Sequence, residues 1–360
     1  MSSSASTPTK TNTSQFCSTV SAARLGELFI PTTTAGFTVL LELCREHVGP
    51  EGRLIAFGVE GTGSYGIGLA RFLRRHGLTV QEVHRPPRKG ERRLSGKSDT
   101  IDAEHAARQV LNGRRAPVPK TAAGAVEALR VLKIARDSAV KARTSAIITL
   151  KATLVTATED LRGALEPLSD YQLVTACAAL EPGAAELSDP DAAMLHVLRS
   201  LARRWLDLHQ EIKTHSRHLK VQTKQAAPRL VEAVGIGLDI AAEMLVTAGD
   251  NSDRIRSEAA FAKLCGASPI PAGSGKTNGR HRLNRGGNRQ ANAALYRAVI
   301  VRMRWHQPTI DYVARRTAEG LSKREIIRCL KRYLAREIYR LLPPPSSEPG
   351  RTAPPLSKAA

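Results

Sequence analysis

The sequence predicts an α/β domain followed by a largely helical second half. Residues 25–84 alternate short apolar runs with amphipathic helical ones, the β-α-β pattern of a parallel or mixed sheet covered by helices. Residues 121–165 and 190–225 repeat apolar side chains three or four apart over many turns, as the two arms of a helical hairpin do. Beyond residue 226, two more helical stretches flank a loop rich in glycine and arginine.

Charge bounds the function classes. The 360 residues carry a formal net charge of +21, and the sequence pI is near 10.3. A chain this basic seeks polyanions through electrostatic steering and counterion release. A membrane surface is the competing partner, but no apolar run approaches the roughly 20 residues needed to span a bilayer. Aromatics make up only 4% of the chain, which argues against an extended stacking platform. Nucleic acid held mainly through phosphates is the expected partner. Cys17, Cys44, Cys177, Cys265 and Cys329 are scattered, with no CxxC and no Cys/His cluster, so neither a disulfide frame nor a zinc site is indicated. The Ser/Thr-rich start has no apolar core of a secretory signal, and a reduced, cytoplasmic setting is expected.

In chain order, residues 1–23 are dominated by Ser and Thr and read as disordered. LGELFI from Leu25 reads as a strand. PTTTAGFTVLLELCREHVG reads as a capped helix burying Phe37, Leu40, Leu41 and Leu43. RLIAFGVE (53–60) is an apolar run ending in a lone carboxylate, Glu60, as a buried strand does when it delivers a residue at its edge. LARFLRRHG then reads as a helix and LTVQEVH as a strand. The connector from Arg85 through Arg88 to Lys97 is strongly basic and suits DNA or RNA phosphates equally. SDTIDAEHAARQVL starts a helix capped by Ser98 or Asp99. Asp99 and Asp102 are three apart and share a face of its first turn. Acidic residues also favour helix N-termini through the macrodipole, so this pair stays open at this point.

The hairpin core is read from Leu129, Leu132, Ala135, Ala139, Ala142, Ala146, Leu150 and Leu154 in one arm. Leu195, Leu198, Leu201, Trp205, Leu208 and Ile212 are their counterparts in the other. In RLVEAVGIGLDIAAEMLVTAGD (229–250), Gly235 and Gly237 sit in a helix-hairpin-helix-like turn. Its backbone N–H groups suit one phosphate; a plain tight turn explains it as well. LSKREIIRCLKRYLAREIYRLL (321–342) reads as a basic amphipathic helix, and residues 343–360 as a disordered tail. The expected divisions are 1–23, 24–120, 121–225, 226–342 and 343–360.

The chemistry concentrates in ASPIPAGSGKTNGRHRLNRGGNRQANAALYR (267–297). Ser274 stands between two glycines, which free the backbone and let a polymer approach its hydroxyl. Lys276, Arg280, Arg282, Arg285 and Arg289 follow at spacings suited to holding phosphate. The stretch fits a serine nucleophile presented to nucleic acid, or a loop that only touches the backbone.

VEGTGSYG, RPPRKGERRLSGKSDTIDAEHAAR, GIG and FAKLCGASPIPAGSGKTNGRHRLNRGGNRQANAALY, in this order over about residues 25–340, resemble the transposases of the insertion sequence 110 family. The resemblance implies a RuvC-like (RNase H-type) N-terminal domain, a coiled-coil insertion and a helical C-terminal transposase domain. It implies a DEDD metal site for a pair of Mg²⁺ ions, with the glutamate on Glu60 and the last two aspartates on Asp99 and Asp102. It also implies a serine nucleophile on Ser274. It further implies bacterial, nucleoid-associated homo-oligomers (dimers or tetramers) that recombine DNA under a structured bridge RNA.

One departure stands out. The family's first aspartate lies on an opening strand of the form GIDxxK, whereas no aspartate precedes Asp99 here and KTNTSQFCSTV occupies that place. The first strand is therefore expected to be missing or replaced, leaving three of four metal ligands. The alternative to an active transposase is an impaired copy that only binds nucleic acid.

Overall fold

A computed structural model describes residues 2–8, 12–19, 24–83, 99–111, 117–182, 187–274, 281–284 and 286–343. These divide into two units: residues up to 124 with 248–256, and residues 125–247 with 257–343.

The first unit is built on five strands: β1 (Ser2–Pro8), β2 (Asn12–Thr19), β3 (Arg24–Pro31), β4 (Leu54–Glu60) and β5 (Val80–Val83). Their order is β3-β2-β1-β4-β5. β1 pairs antiparallel with β2 and parallel with β4, so it is an interior strand, and β5 extends the sheet parallel to β4. This corrects one expectation: residues 1–23 contain two strands, β1 and β2, rather than none. Composition hides such strands because ladder pairing is made by backbone groups, while strand propensity mostly reports side-chain packing.

One face of the sheet is covered by α1 (Thr34–Val48) and α2 (Ile67–Arg75). The Thr33 hydroxyl caps α1 by accepting from the Gly36 amide at 3.2 Å. Phe37, Leu40, Leu41 and Cys44 pack with Ile30, Phe57, Val59, Leu69 and Leu73. Cys44, not the expected Leu43, completes the stripe, because positions 37, 40, 41 and 44 follow the helical period. The opposite face takes α3 (Asp99–Leu111) through Ala103, Ala106 and Ala107, packed on Val83. The Arg74 guanidinium donates to the carbonyls of Lys120 (2.9 Å) and Pro119 (3.0 Å), tying α2 to the exit of the unit.

In the second unit, α4 (Ala125–Leu154) and α7 (Pro190–Ala226) form the expected hairpin. Arg136 Nε donates to Ser216 Oγ at 3.2 Å, and Arg143 lies 2.9 Å from His209. Partners therefore advance on one helix as they retreat on the other, and the arms are antiparallel. Between them, α5 (Glu159–Leu165) and α6 (Asp170–Ala178) close the far end. Leu165, Leu173 and Cys177 pack there on Leu150, Leu198 and Trp205.

The remainder of the unit comprises α8 (Pro228–Glu232), α9 (Leu238–Ala248), α10 (Glu258–Leu264), β6 (Pro269–Pro271), β7 (His281–Leu283), α11 (Arg289–Trp305), α12 (Gln307–Ala318) and α13 (Lys323–Leu341). α12 had no counterpart in the reading of the sequence. The hairpin and these C-terminal helices fall in one unit, whereas the sequence suggested a division at residue 226.

Candidate functional site

Glu60 is the last residue of β4 and is buried. Side chains alternate along a strand. Phe57 and Val59 enter the α1/α2 core, so Gly58 and Glu60 belong to the face covered by α3. Gly58 makes the close approach of that helix possible. A Cβ there would meet the Ala106 carbonyl oxygen at 2.9 Å and Val110 Cγ2 at 2.8 Å.

Val83, the register partner of Glu60, shares a core cluster with Ala103, Ala106 and Ala107 of α3. Asp99 and Asp102 thus belong to the helix that covers the sheet face to which Glu60 belongs. The side chains of Asp99 and Asp102 lie outside the described residues. Among the described residues, no group of three or more His, Cys, Asp or Glu is gathered to hold a metal. β1 runs beside β4, and its last registered pair is Ser6 opposite Val59, so Thr7 follows next in β1 as Glu60 does in β4. Its seven residues, SSSASTP, contain no carboxylate.

The turn after β4 also needs its glycines. Gly61 has φ +64°, and a Cβ on Gly66 would lie 2.3 Å from the Glu60 carbonyl oxygen. These glycines turn the chain sharply just beyond the carboxylate.

In the second unit, Ser274 is exposed on the segment that follows β6. β6 and β7 pair antiparallel, with Ile270 opposite Arg282. The base of this ribbon is locked by backbone contacts that no sequence motif advertises. Gly266 has φ +65°, and a Cβ on Gly287 would come within 2.1 Å of the Gly266 nitrogen. The Asn292 amide donates to the carbonyls of Cys265 (3.0 Å) and Gly266 (2.8 Å). Its oxygen accepts from the Lys331 ammonium at 2.6 Å. Burial lowers the Lys331 pKa, with Arg328 adding to the effect. Asn288 caps α11, its side-chain oxygen accepting from the amides of Gln290 (2.8 Å) and Ala291 (3.1 Å). Asn288, Asn292 and Lys331 therefore hold the base of the ribbon, a role that no local sequence pattern marks.

Of the cations expected around Ser274, Arg282 is exposed on β7, and Arg289 is exposed as the first residue of α11. Lys276, Arg280 and Arg285 lie outside the described residues, as do Arg85, Arg88 and Lys97 of the connector.

The Gly-Ile-Gly turn joins α8 to α9. Gly235 has φ +77°, and a Cβ on it would lie 2.9 Å from Arg302 Cγ. Gly237 has open space around it. The buried Arg302 donates to the Val234 carbonyl at 2.7 Å and forks onto Glu337 at 2.6 and 2.7 Å. That hydrogen bond pulls the Glu337 carboxyl below its ordinary value, with the Arg302 charge adding to it. Gly235 is thus required by packing and backbone geometry, while Gly237 is the open position of the turn.

No helix of the described residues is long and apolar enough to cross a membrane. No curated protein matches the chain. Residues 10–158 match the model of the DEDD-type transposase of IS110 elements, described as "Transposase". Residues 227–314 match the model described as "Transposase IS116/IS110/IS902 family". The first match spans β2 to β5, α3 and the first hairpin arm, and the second spans the turn at Gly235, the ribbon and α11. Two models of one transposase lineage thus account for about two thirds of the sequence, in order and without overlap, and the chain belongs to the IS110 family of transposases, enzymes that act on DNA.

Proposed function

We propose that this transposase cuts and rejoins DNA strands through Ser274. The Ser274 oxygen attacks a DNA phosphorus, a serine–phosphate bond forms, and the bond to one ester oxygen breaks. That oxygen leaves with a proton as a hydroxyl. A hydroxyl of the receiving strand then attacks the phosphoserine, re-forming a phosphodiester and releasing the serine, so bond energy is conserved. The observation that carries this reading is an exposed serine between glycines on a segment whose base is locked by Asn292 and Lys331. Arg282 and Arg289, with Lys276, Arg280 and Arg285 of the same loop, would offset charge on the phosphate.

Glu60, Asp99 and Asp102 form a hard-oxygen donor set of the kind that suits Mg²⁺, and the placement of α3 over the β4 edge supports their acting together. Bound there, Mg²⁺ would polarise the phosphate and stabilise the departing oxygen. In this reading the protein works as a homo-oligomer in the bacterial cytoplasm, at the nucleoid, with a structured RNA directing site choice. Gly235, Gly237, Arg85, Arg88 and Lys97 supply further phosphate contacts.

A second reading is favoured by one specific observation, the absence of a carboxylate from β1 beside Glu60. On that reading the chain is an impaired transposase that keeps nucleic-acid binding and loses strand transfer. Incubating the protein with the element's end DNA, flanking RNA and Mg²⁺, followed by a denaturing gel, decides between the two. A protein–DNA adduct lost in Ser274→Ala supports the serine recombinase. Salt-sensitive binding without an adduct supports the impaired copy.

A further inference from the structure

A cavity of about 790 Å³ opens between the β6/β7 ribbon and α13, and its lining is cationic. Arg328, Arg332 and Arg336 follow one another at four-residue spacing, so they line one face of α13. Arg282 faces them from the ribbon and Arg316 joins from α12. The one carboxylate among the described lining residues is Glu325, and it is engaged at the start of α13, accepting from the Ser322 amide at 2.9 Å. Glu258 reaches the row from outside but is shared, lying 2.9 Å from Arg336, 3.7 Å from Arg332 and 3.8 Å from Arg340. Among the described residues, Arg316 Nε and Arg332 Nη1 are buried without a hydrogen-bond partner. Like charges converging in a concave wall repel one another and raise the local concentration of anions.

The same wall carries an aromatic. Tyr333 is 51% exposed, and its ring is braced edge-on against Tyr312 at 5.7 Å and 83°. Guanidinium groups beside an exposed, braced ring are the pattern that binds single strands, phosphates on the cations and a base on the ring. The cavity has the size of a small-ligand site, fitting a nucleotide stretch and excluding a double helix. Pro269 of β6 lines the cavity, and β6 ends at Pro271, three residues before Ser274, so the groove and the serine share one ribbon.

We propose that this groove seats an unpaired stretch of the DNA strand that Ser274 attacks, with Arg282, Arg328 and Arg332 on its phosphates and one base stacked on Tyr333. The assignment of the strand rests on the serine reading above.

The test uses the full chain without Mg²⁺ and a labelled single-stranded DNA oligonucleotide from the element end, titrated over a salt series. Arg328→Ala/Arg332→Ala should lower the slope of log affinity against log salt by about 1.4, from about 0.7 per phosphate contact on a single strand. Arg203→Ala/Arg204→Ala on α7 should lower it by less. Tyr333→Ala should weaken binding about tenfold and Tyr333→Phe should restore it, since the ring does the stacking. Thermal melting of each variant separates loss of binding from loss of fold. Cys329 lines the groove and is partly exposed, whereas Cys44, Cys177 and Cys265 are buried. Bound DNA should therefore slow alkylation of Cys329.

Unchanged affinity and slope in the folded double variant would overturn the groove, as would stronger protection of Cys329 by an RNA oligonucleotide of the same sequence. Ser274→Ala should bind as the parent does. If groove variants lose binding but the parent forms no Ser274 adduct with Mg²⁺, the groove stands and the serine reading falls. If adducts form and groove variants bind normally, the reverse holds.

Discussion

The Lys133 ammonium on α4 lies 3.4 Å from the Glu243 carboxylate on α9, and both residues are buried. The same ammonium meets Asp137 at 2.7 Å and Asp239 at 3.3 Å. Arg136 and, from α11, Arg297 approach Asp239 at 2.9 and 3.0 Å. This knot of charges fastens the hairpin to the C-terminal helices. Burial opposes the charged form of Lys133, but its acidic neighbours outweigh that and raise its pKa. Burial raises the Glu243 pKa too, with Lys133 pulling against it.

Removing Lys133 leaves the buried Glu243 carboxylate without its cation. Lys133→Ala should cost about 3 kcal/mol of stability, read from denaturant midpoints. Glu243 has a folded pKa above its unfolded one. Its contribution is therefore full below the ordinary value of 4.5 and is lost as pH rises through the folded value. The variant should be closest to the parent at acid pH and fall away towards neutrality, and adding Glu243→Gln should flatten that trend.

Arg302 spans the Gly235 turn and α13, so Arg302→Ala should destabilise by about 2 kcal/mol, the worth of hydrogen bonds to a charged group. Glu337 has a depressed folded pKa. Its stabilisation is present above the ordinary 4.5 and is lost as pH falls through the folded value. Acid unfolding followed by circular dichroism should lose part of its slope below that pH in Glu337→Gln. Gly235→Ala, at φ +77° and against Arg302, should lower the melting temperature, whereas Gly237→Ala should not. An equal effect of both would contradict the packing role of Gly235.

Gly58 lets α3 approach the sheet. Gly58→Val should cost about 1–3 kcal/mol by overpacking and should shift the helix that carries Asp99 and Asp102. The expected result is a folded protein with DNA cleavage lost beyond what its melting temperature explains. Cleavage at the parent rate would show that the packing of α3 does not position the carboxylates.

Thr7 follows Ser6, the register partner of Val59, on a strand with no carboxylate. If Glu60, Asp99 and Asp102 hold Mg²⁺, Thr7→Asp supplies a further hard ligand. It should tighten Mg²⁺ binding by about tenfold, one such step being 1.4 kcal/mol, measured by calorimetry, and should raise adduct yield. No change in metal affinity would place the metal elsewhere.

Much of this was legible along the chain. The apolar period at Phe37, Leu40 and Leu41, the run closing on Glu60 and the repeats of both hairpin arms each lie within one element, where local periodicity reports burial directly. Ser274 between glycines and the four-residue spacing of Arg328, Arg332 and Arg336 are equally local. β1 was not legible. Its serines carry no apolar alternation, and its place between β2 and β4 depends on backbone pairing with strands up to about 50 residues away. Nor could the sequence reveal that Asn292 locks two carbonyls from 26 and 27 residues earlier, or that Lys133 meets Glu243 across 110 residues. The sequence by itself determined which faces are apolar, which loops are basic and where the carboxylates and the serine stand in order. The tertiary structure decided which of them are brought together, because hydrogen bonds and buried ion pairs form between groups near in space, and that nearness exists only once the chain has closed.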